Sequence, residues 1–150
     1  MRSNTLVPAA AAAILLAAGV ATLLAADADP AKARHEAMEQ VGDNMKTLGK
    51  MARGQAPFDA AVVATSAKTI KQRLDEAATL FPAGSDKGET KAKPEIWSDR
   101  ATFDKIMKDS QAAAAALAEV KDEAAFRPAM GALGQNCKAC HDKFRMPDQH

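Results

Sequence analysis

The chain has 150 residues, of which 47% are hydrophobic but only 4% are aromatic. Alanine is its most frequent residue and tyrosine is absent, so the composition predicts a helical protein and excludes a β-sandwich or β-barrel. The formal net charge of +1 gives no field that would hold a nucleic-acid backbone or an anionic membrane surface. We therefore expect one domain with no nucleic-acid partner.

The start of the chain has the order of residues that is typical of a secretory signal. Arg2 precedes the apolar segment Leu6–Ala26, and acidic residues follow at Asp27 and Asp29. A segment of about 20 apolar residues would also be long enough for a membrane anchor. Small residues directly before the charged segment favour cleavage after Ala26. We expect residues 1–26 to be a cleaved signal peptide and residues 27–150 to be an exported bundle without stable membrane insertion.

Two amphipathic helices are predicted first, because apolar residues recur at spacings of three and four. The first helix begins at Pro30, a favoured first helical position, and ends before Gly54. The second opens at Pro57 and Asp59, and its apolar stripe continues as far as Phe81.

Two further helices follow a long crossover, Pro82–Trp97. The third helix is predicted to begin at Ser98 or Asp99, and the fourth follows Asp122. Pro128 predicts that the fourth helix either begins later or is kinked, because proline removes a backbone hydrogen bond. Each helix has one apolar stripe, and these stripes can be buried against one another in an all-α, antiparallel four-helix bundle.

Both cysteines lie near the end of the fourth helix, in the sequence Cys137-Lys138-Ala139-Cys140-His141. The Cys-x-x-Cys-His pattern is typical of covalent haem c attachment. Residues three apart lie on one helix face, so both sulfurs can reach one edge of a porphyrin. His141 would then be the proximal iron ligand.

Two other interpretations of the cysteine pair are possible. A thiol-disulfide oxidant also uses Cys-x-x-Cys, but its motif normally opens a helix after a strand, and no strand is predicted here. Zinc requires three or four ligands, and only His35 and His150 remain as further histidines. Haem attachment is therefore favoured.

The first helix offers two residues for the other face of a haem. Arg34 and Met38 lie one turn apart on the apolar stripe, where a bulky charge is unusual. Met38 could simply fill the core and Arg34 could extend to solvent. Together they suit a thioether near iron and a guanidinium that neutralises a haem propionate. Met45, two turns further along, is interpreted as a core residue.

The whole set of motifs resembles the cytochrome c′ family, the class II c-type cytochromes. The resemblance rests on the following segments in order: Arg34-x-x-x-Met38, Gly54–Asp59, Phe81-Pro82-x-Gly84, Thr90–Asp99 and Cys137–Arg145. It implies an exported protein with one haem c, often a homodimer.

The resemblance also implies roles for individual residues. Cys137 and Cys140 would bind haem covalently and His141 would bind iron. Arg34 and His35 would lie by the haem edge, and Thr90 and Lys91 would line the crossover side of the pocket.

Relatives in this family differ at the sixth iron position. We expect Met38 to be the distal ligand of a periplasmic electron carrier that is not an enzyme and that meets redox partner proteins. The alternative is a high-spin, five-coordinate protein that binds NO or CO, with Met38 only crowding the distal face. Lysines of the crossover and of the last helix could steer an acidic partner, or could simply be a solvated face.

Overall fold

The computed structural model describes residues 29–147, so the predicted signal peptide lies outside the described residues. Five helices form in this part of the chain: α1 (Pro30–Ala52), α2 (Ala60–Ala78), α3 (Glu95–Ser98), α4 (Arg100–Ala118) and α5 (Glu123–Phe144). The four long helices confirm the predicted all-α bundle, and α3 is a single short turn within the crossover. None of the helices in the described part combines the length and apolar character that a bilayer crossing requires.

Aspartate side chains begin all four long helices. Asp29, Asp59, Asp99 and Asp122 each accept a hydrogen bond from a backbone N–H in the first turn that follows. These N–H groups have no partner within the helix, so the carboxylates stabilise the helix starts. The sequence predicted these starts at or within a residue of their positions.

The ends of two helices differ from the sequence-based prediction. Helix α2 ends at Ala78 and not at Phe81. Phe81 directly precedes Pro82, and a proline disfavours helical backbone at the residue before it. Helix α5 begins at Glu123 and continues through Pro128, so of the two predicted alternatives, a later start and a kink, the later start is wrong. Pro128 lies near the exposed start of the helix, where water can bind the carbonyl that loses its partner.

The helices pack as a ring with one weak side. Helix α1 packs extensively on α2, α2 on α4, and α4 on α5, whereas α1 and α5 meet only sparingly. The core contains side chains from all four long helices that are fully buried: Leu48, Val63, Ile70, Leu117, Phe126 and Leu133. The predicted residues Arg34 and Met38 lie on α1, and the Cys137–His141 segment lies on α5, so the two sparsely packed helices carry most of the predicted site.

Candidate haem site

The two cysteines lie close to the end of α5 and face the interior. Cys137 and Cys140 are both partly buried, pack against the hydrophobic core, and are free thiols. Their spacing on a regular helix brings both sulfurs to one face, as the sequence predicted. His141 follows directly and is exposed. The donor set of two thiols and one imidazole fits the requirements of a covalently attached haem.

Burial controls the protonation of the two thiols. Desolvation raises the pKa of Cys137, and desolvation together with the charge of Cys137 raises the pKa of Cys140 to about 11. The thiols are therefore protonated at neutral pH. A thiol-disulfide oxidant needs a cysteine whose pKa is lowered, so the direction of these shifts disfavours that alternative.

The neutral form of His141 is favoured at neutral pH. The residue is exposed overall, but nearby protein atoms partly desolvate its imidazole. This desolvation and the charge of Arg145 lower the pKa of His141, while Asp142 opposes them. A neutral imidazole has a free nitrogen lone pair, which is the form that binds a metal. Among residues 29–147, no group of three or more His, Cys, Asp or Glu side chains is placed to hold a metal ion, and His150 lies outside this range.

Three methionines lie on α1 and α5, the two long helices that meet sparingly. Met38 and Met45 on α1 and Met130 on α5 are partly buried and pack against the core. Met38 lies one turn after the buried Arg34, as the helical spacing predicted. Because none of the three methionines is fully buried, each can adjust its position beside a ligand.

Arg34 is almost completely buried, with 5% of its surface exposed. Its Nη1 donates to the carbonyl oxygen of Leu80 at 2.7 Å and to Ser85 Oγ at 3.1 Å. Its Nη2 donates to the Ser85 carbonyl oxygen at 2.9 Å and to Thr90 Oγ1 at 3.1 Å. The guanidinium also lies 4.9 Å from the centre of the Phe81 ring. Burial lowers the pKa of Arg34, while the charge of Asp29 raises it.

The other predicted site residues divide into two groups. Thr90 belongs to the Arg34 cluster, and Lys91 lies beside it with its carbonyl oxygen accepting from the Met146 N–H at 2.8 Å. His35 is exposed on the outer side of α1, where its Nε2 lies 3.4 Å from Glu39 Oε1. The structure therefore brings Arg34 and Thr90 together and places His35 outside that cluster.

The crossover is attached to the end of α5 by a short antiparallel bridge between Ala92 and Arg145. The Lys93 N–H donates to the Phe144 carbonyl oxygen at 2.9 Å, and Lys93 Nζ donates to the Asp142 carbonyl oxygen at 3.2 Å. The sequence did not indicate these contacts, nor the role of Ser85. No local sequence pattern could have predicted the contacts between the crossover and α5 or those of Ser85, since both depend on the path of the crossover.

Comparisons with known proteins agree with this arrangement. The family model described as Cytochrome C′ matches residues 29–145. The cytochrome c′ of Rhodopseudomonas palustris is 39% identical over 134 residues, which cover 88% of this chain and 90% of that protein. A cytochrome c-556 of the same organism is 34% identical over 115 residues, covering 72% of this chain and 76% of that protein.

Solved structures give the same result for the fold. A structure of Rhodopseudomonas palustris cytochrome c′ aligns with a TM-score of 0.77 and 38% identity, covering 82% of this chain and 100% of that chain. Cytochrome c′ from Shewanella frigidimarina aligns with a TM-score of 0.75 and 36% identity, covering 80% and 96%. With its helical bundle, its Cys-x-x-Cys-His segment and these similarities, the chain belongs to the cytochrome c′ family of haem c proteins.

Proposed function

We propose that this protein binds a diatomic gas, NO or CO, at a haem c held by α5. The observation that carries the proposal is the placement of Cys137, Cys140 and His141 within about one turn of α5, a helix that packs only sparingly against α1. A bound haem c would supply an iron that can change oxidation state and bind a diatomic gas. The protein would bind and release its ligand without rearranging bonds, so we propose no enzymatic activity.

The Cys-x-x-Cys-His segment of α5 supplies the three side chains that would hold the haem. Cys137 and Cys140 would hold the haem covalently, each through a thioether bond from its sulfur. Burial raises the pKa values of both thiols, so both sulfurs carry a proton before the haem is attached. The imidazole of His141 would bind the haem iron.

Met38 would pack beside the bound haem without binding its iron. This differs from the electron carrier expected from the sequence, in which Met38 is a ligand. Support comes from two relatives named cytochrome c′, at 39% and 38% identity. A solved nitric oxide complex gives further support: it is that of an Alcaligenes xylosoxidans cytochrome c′ in which alanine replaces a leucine, and this chain is 32% identical to it.

Ligation of the iron by Met38 is the second candidate, and two observations favour it. Relatives named cytochrome c-556 are also similar, at 34% identity for the protein of Agrobacterium fabrum, and Met38 is partly buried beside the core. In that case the protein would carry electrons between redox partner proteins.

We also propose that the protein acts in the periplasm after removal of residues 1–26. The basic, apolar and acidic segments at the start of the chain support this location. We further propose that the mature protein forms a homodimer, as the family resemblance implies. Sedimentation of the mature protein over a range of concentrations tests the dimer.

The visible spectrum of purified oxidised and reduced protein tests the proposed function. We expect a high-spin spectrum without a methionine-to-iron charge-transfer band, and a new spectrum when CO is added to the reduced protein. A low-spin spectrum with that band and no change with CO would instead support the electron carrier.

A further inference from the structure

Helix α5 contains two glycines in its interior, Gly131 and Gly134. Apart from proline, glycine is the least favourable residue inside a helix, because its backbone loses the most conformational freedom there. Such a glycine can be explained by an unusual backbone conformation or by a close contact that a side chain would prevent. Gly131 is exposed, whereas Gly134 is half-buried, so Gly134 is the one that requires such an explanation.

Backbone conformation does not explain Gly134. Positive φ, which favours glycine over other residues, occurs among the glycines of residues 29–147 at Gly54, Gly84 and Gly88. Gly134 instead has the regular helical backbone of α5, which alanine adopts at a lower cost. Alanine could therefore take this position as far as the backbone is concerned.

Packing within the protein does not explain Gly134 either. Outside the adjacent backbone of α5, no heavy atom of residues 29–147 lies within 4 Å of a Cβ placed at Gly134. By contrast, a Cβ placed at Gly49 of α1 would lie 3.0 Å from Arg53 Nη1. The polypeptide itself therefore leaves room for a side chain at Gly134, although the position is half-buried.

Gly134 lies on the side of α5 that carries the haem-binding residues. Asn136 Nδ2 donates to the Asp109 carbonyl oxygen of α4 at 3.2 Å, which marks the side of α5 that faces α4. Residues two apart in a helix are separated by about 200° around its axis, so Gly134 faces away from α4. It also precedes Cys137 by three residues and His141 by seven, and both spacings return to one helix face.

We propose that Gly134 is a haem-binding residue, where the bare backbone of α5 lets the haem lie directly against the helix. A porphyrin held by the sulfurs of Cys137 and Cys140 is wider than the helix pitch of about 5.4 Å, so it can reach the turn that contains Gly134. A side chain at this position would push the haem away from α5. The proposal rests on the haem attachment of the proposed function, but it does not depend on whether Met38 binds the iron.

Four holoprotein variants with matched substitutions test the proposal. Gly134→Ala and Gly131→Ala each add one methyl group, and Gly134→Leu and Gly131→Leu each add a larger side chain that also favours a helix. Gly131 is the control, because it lies about one turn earlier on the same helix and is exposed. If a leucine variant does not fold, the two alanine variants still provide the comparison.

Thermal unfolding of the holoproteins is the first measurement. Gly131→Ala should raise the Tm by about 3–6 °C, because alanine stabilises a helix relative to glycine. Gly134→Ala should show no such rise, since the gain in helix stability is offset by a poorer contact with the haem. An equal rise in the two alanine variants would overturn the proposal.

The bound haem gives the second measurement. We expect the Soret band of the oxidised protein to shift in Gly134→Ala and to shift further in Gly134→Leu. Mass spectrometry should show that a severalfold smaller fraction of Gly134→Leu chains carries haem. Both Gly131 variants should match the wild type in spectrum and in haem content. Unchanged spectra and haem content in the Gly134 variants would overturn the proposal.

The same experiments separate this proposal from the proposed function. A wild-type protein in which Met38 binds the iron would contradict gas binding alone, since the glycine variants would still decide the role of Gly134. A wild-type protein without haem would overturn both.

Discussion

Lys143 Nζ donates to Asp99 Oδ2 at 2.5 Å, which links the last turn of α5 to the residue that begins α4. The same carboxylate accepts from the Thr102 N–H at 3.4 Å. The hydrogen bond from Lys143 is the main reason that the pKa of Asp99 is lowered from its ordinary value of 3.8. One side chain therefore both caps a helix and fixes the haem-bearing helix against its neighbour.

This pair predicts a loss of stability in acid. Because the folded-state pKa of Asp99 lies below the unfolded value, its contribution is complete above about pH 4 and disappears as the pH falls through the folded pKa. Urea unfolding from pH 7 down to pH 3 measures the effect. Asp99→Ser keeps a capping oxygen but removes the charge, so its stability should fall less steeply with acid. A slope equal to that of the wild type would contradict this assignment.

Phe103 of α4 packs against Phe81 of the crossover and Phe144 of α5, so replacing it measures how much this aromatic cluster stabilises the fold. It is 2% exposed, and its ring centre lies 4.7 Å from that of Phe81 and 5.4 Å from that of Phe144. Phe103→Ala should lower the free energy of unfolding by about 3–5 kcal/mol. Phe103→Leu keeps most of the volume and should cost about 1–3 kcal/mol, the value of two aromatic pairs.

Urea titration at neutral pH measures both Phe103 variants. Lys105→Ala, on the exposed side of α4, is the control and should change stability by less than about 1 kcal/mol. A loss in Phe103→Ala no larger than that of the control would show that the aromatic cluster does not hold α4, α5 and the crossover together.

Much of this architecture could be predicted from local sequence signals. The aspartates that begin the helices, the apolar spacing and the Cys-x-x-Cys-His segment all act within a few residues, so they can be interpreted without knowing the fold. Phe81 shows the limit of such patterns. Its apolar spacing continues that of α2, although the helix ends at Ala78 and Phe81 packs on Phe103 from the crossover.

The partners of Arg34 could not be predicted in the same way. A charge on an apolar stripe indicates that an acceptor is near, but does not identify it. The acceptors here are the Leu80 and Ser85 carbonyl oxygens and two hydroxyl groups, and their positions depend on a long loop. The same limit applies to Asp99 and Lys143, which are 44 residues apart in sequence.

Met38 provides a test of the sixth axial position. Met38→Leu retains an apolar side chain of similar size but has no sulfur, so the high-spin spectrum should be unchanged. Met38→Ala removes most of the side chain and should admit CO faster. Met45→Leu is the matched control, because Met45 is also partly buried on α1. Conversion of a low-spin spectrum to a high-spin one by Met38→Leu alone would show that Met38 is a ligand.

The mass of the mature protein, produced with a system that attaches haem c, tests the central claim most directly. The account predicts the mass of the processed polypeptide plus one haem, retained after denaturation. Replacement of both Cys137 and Cys140 by serine should leave only the polypeptide mass. A wild-type protein with the mass of the bare polypeptide would contradict haem attachment to α5.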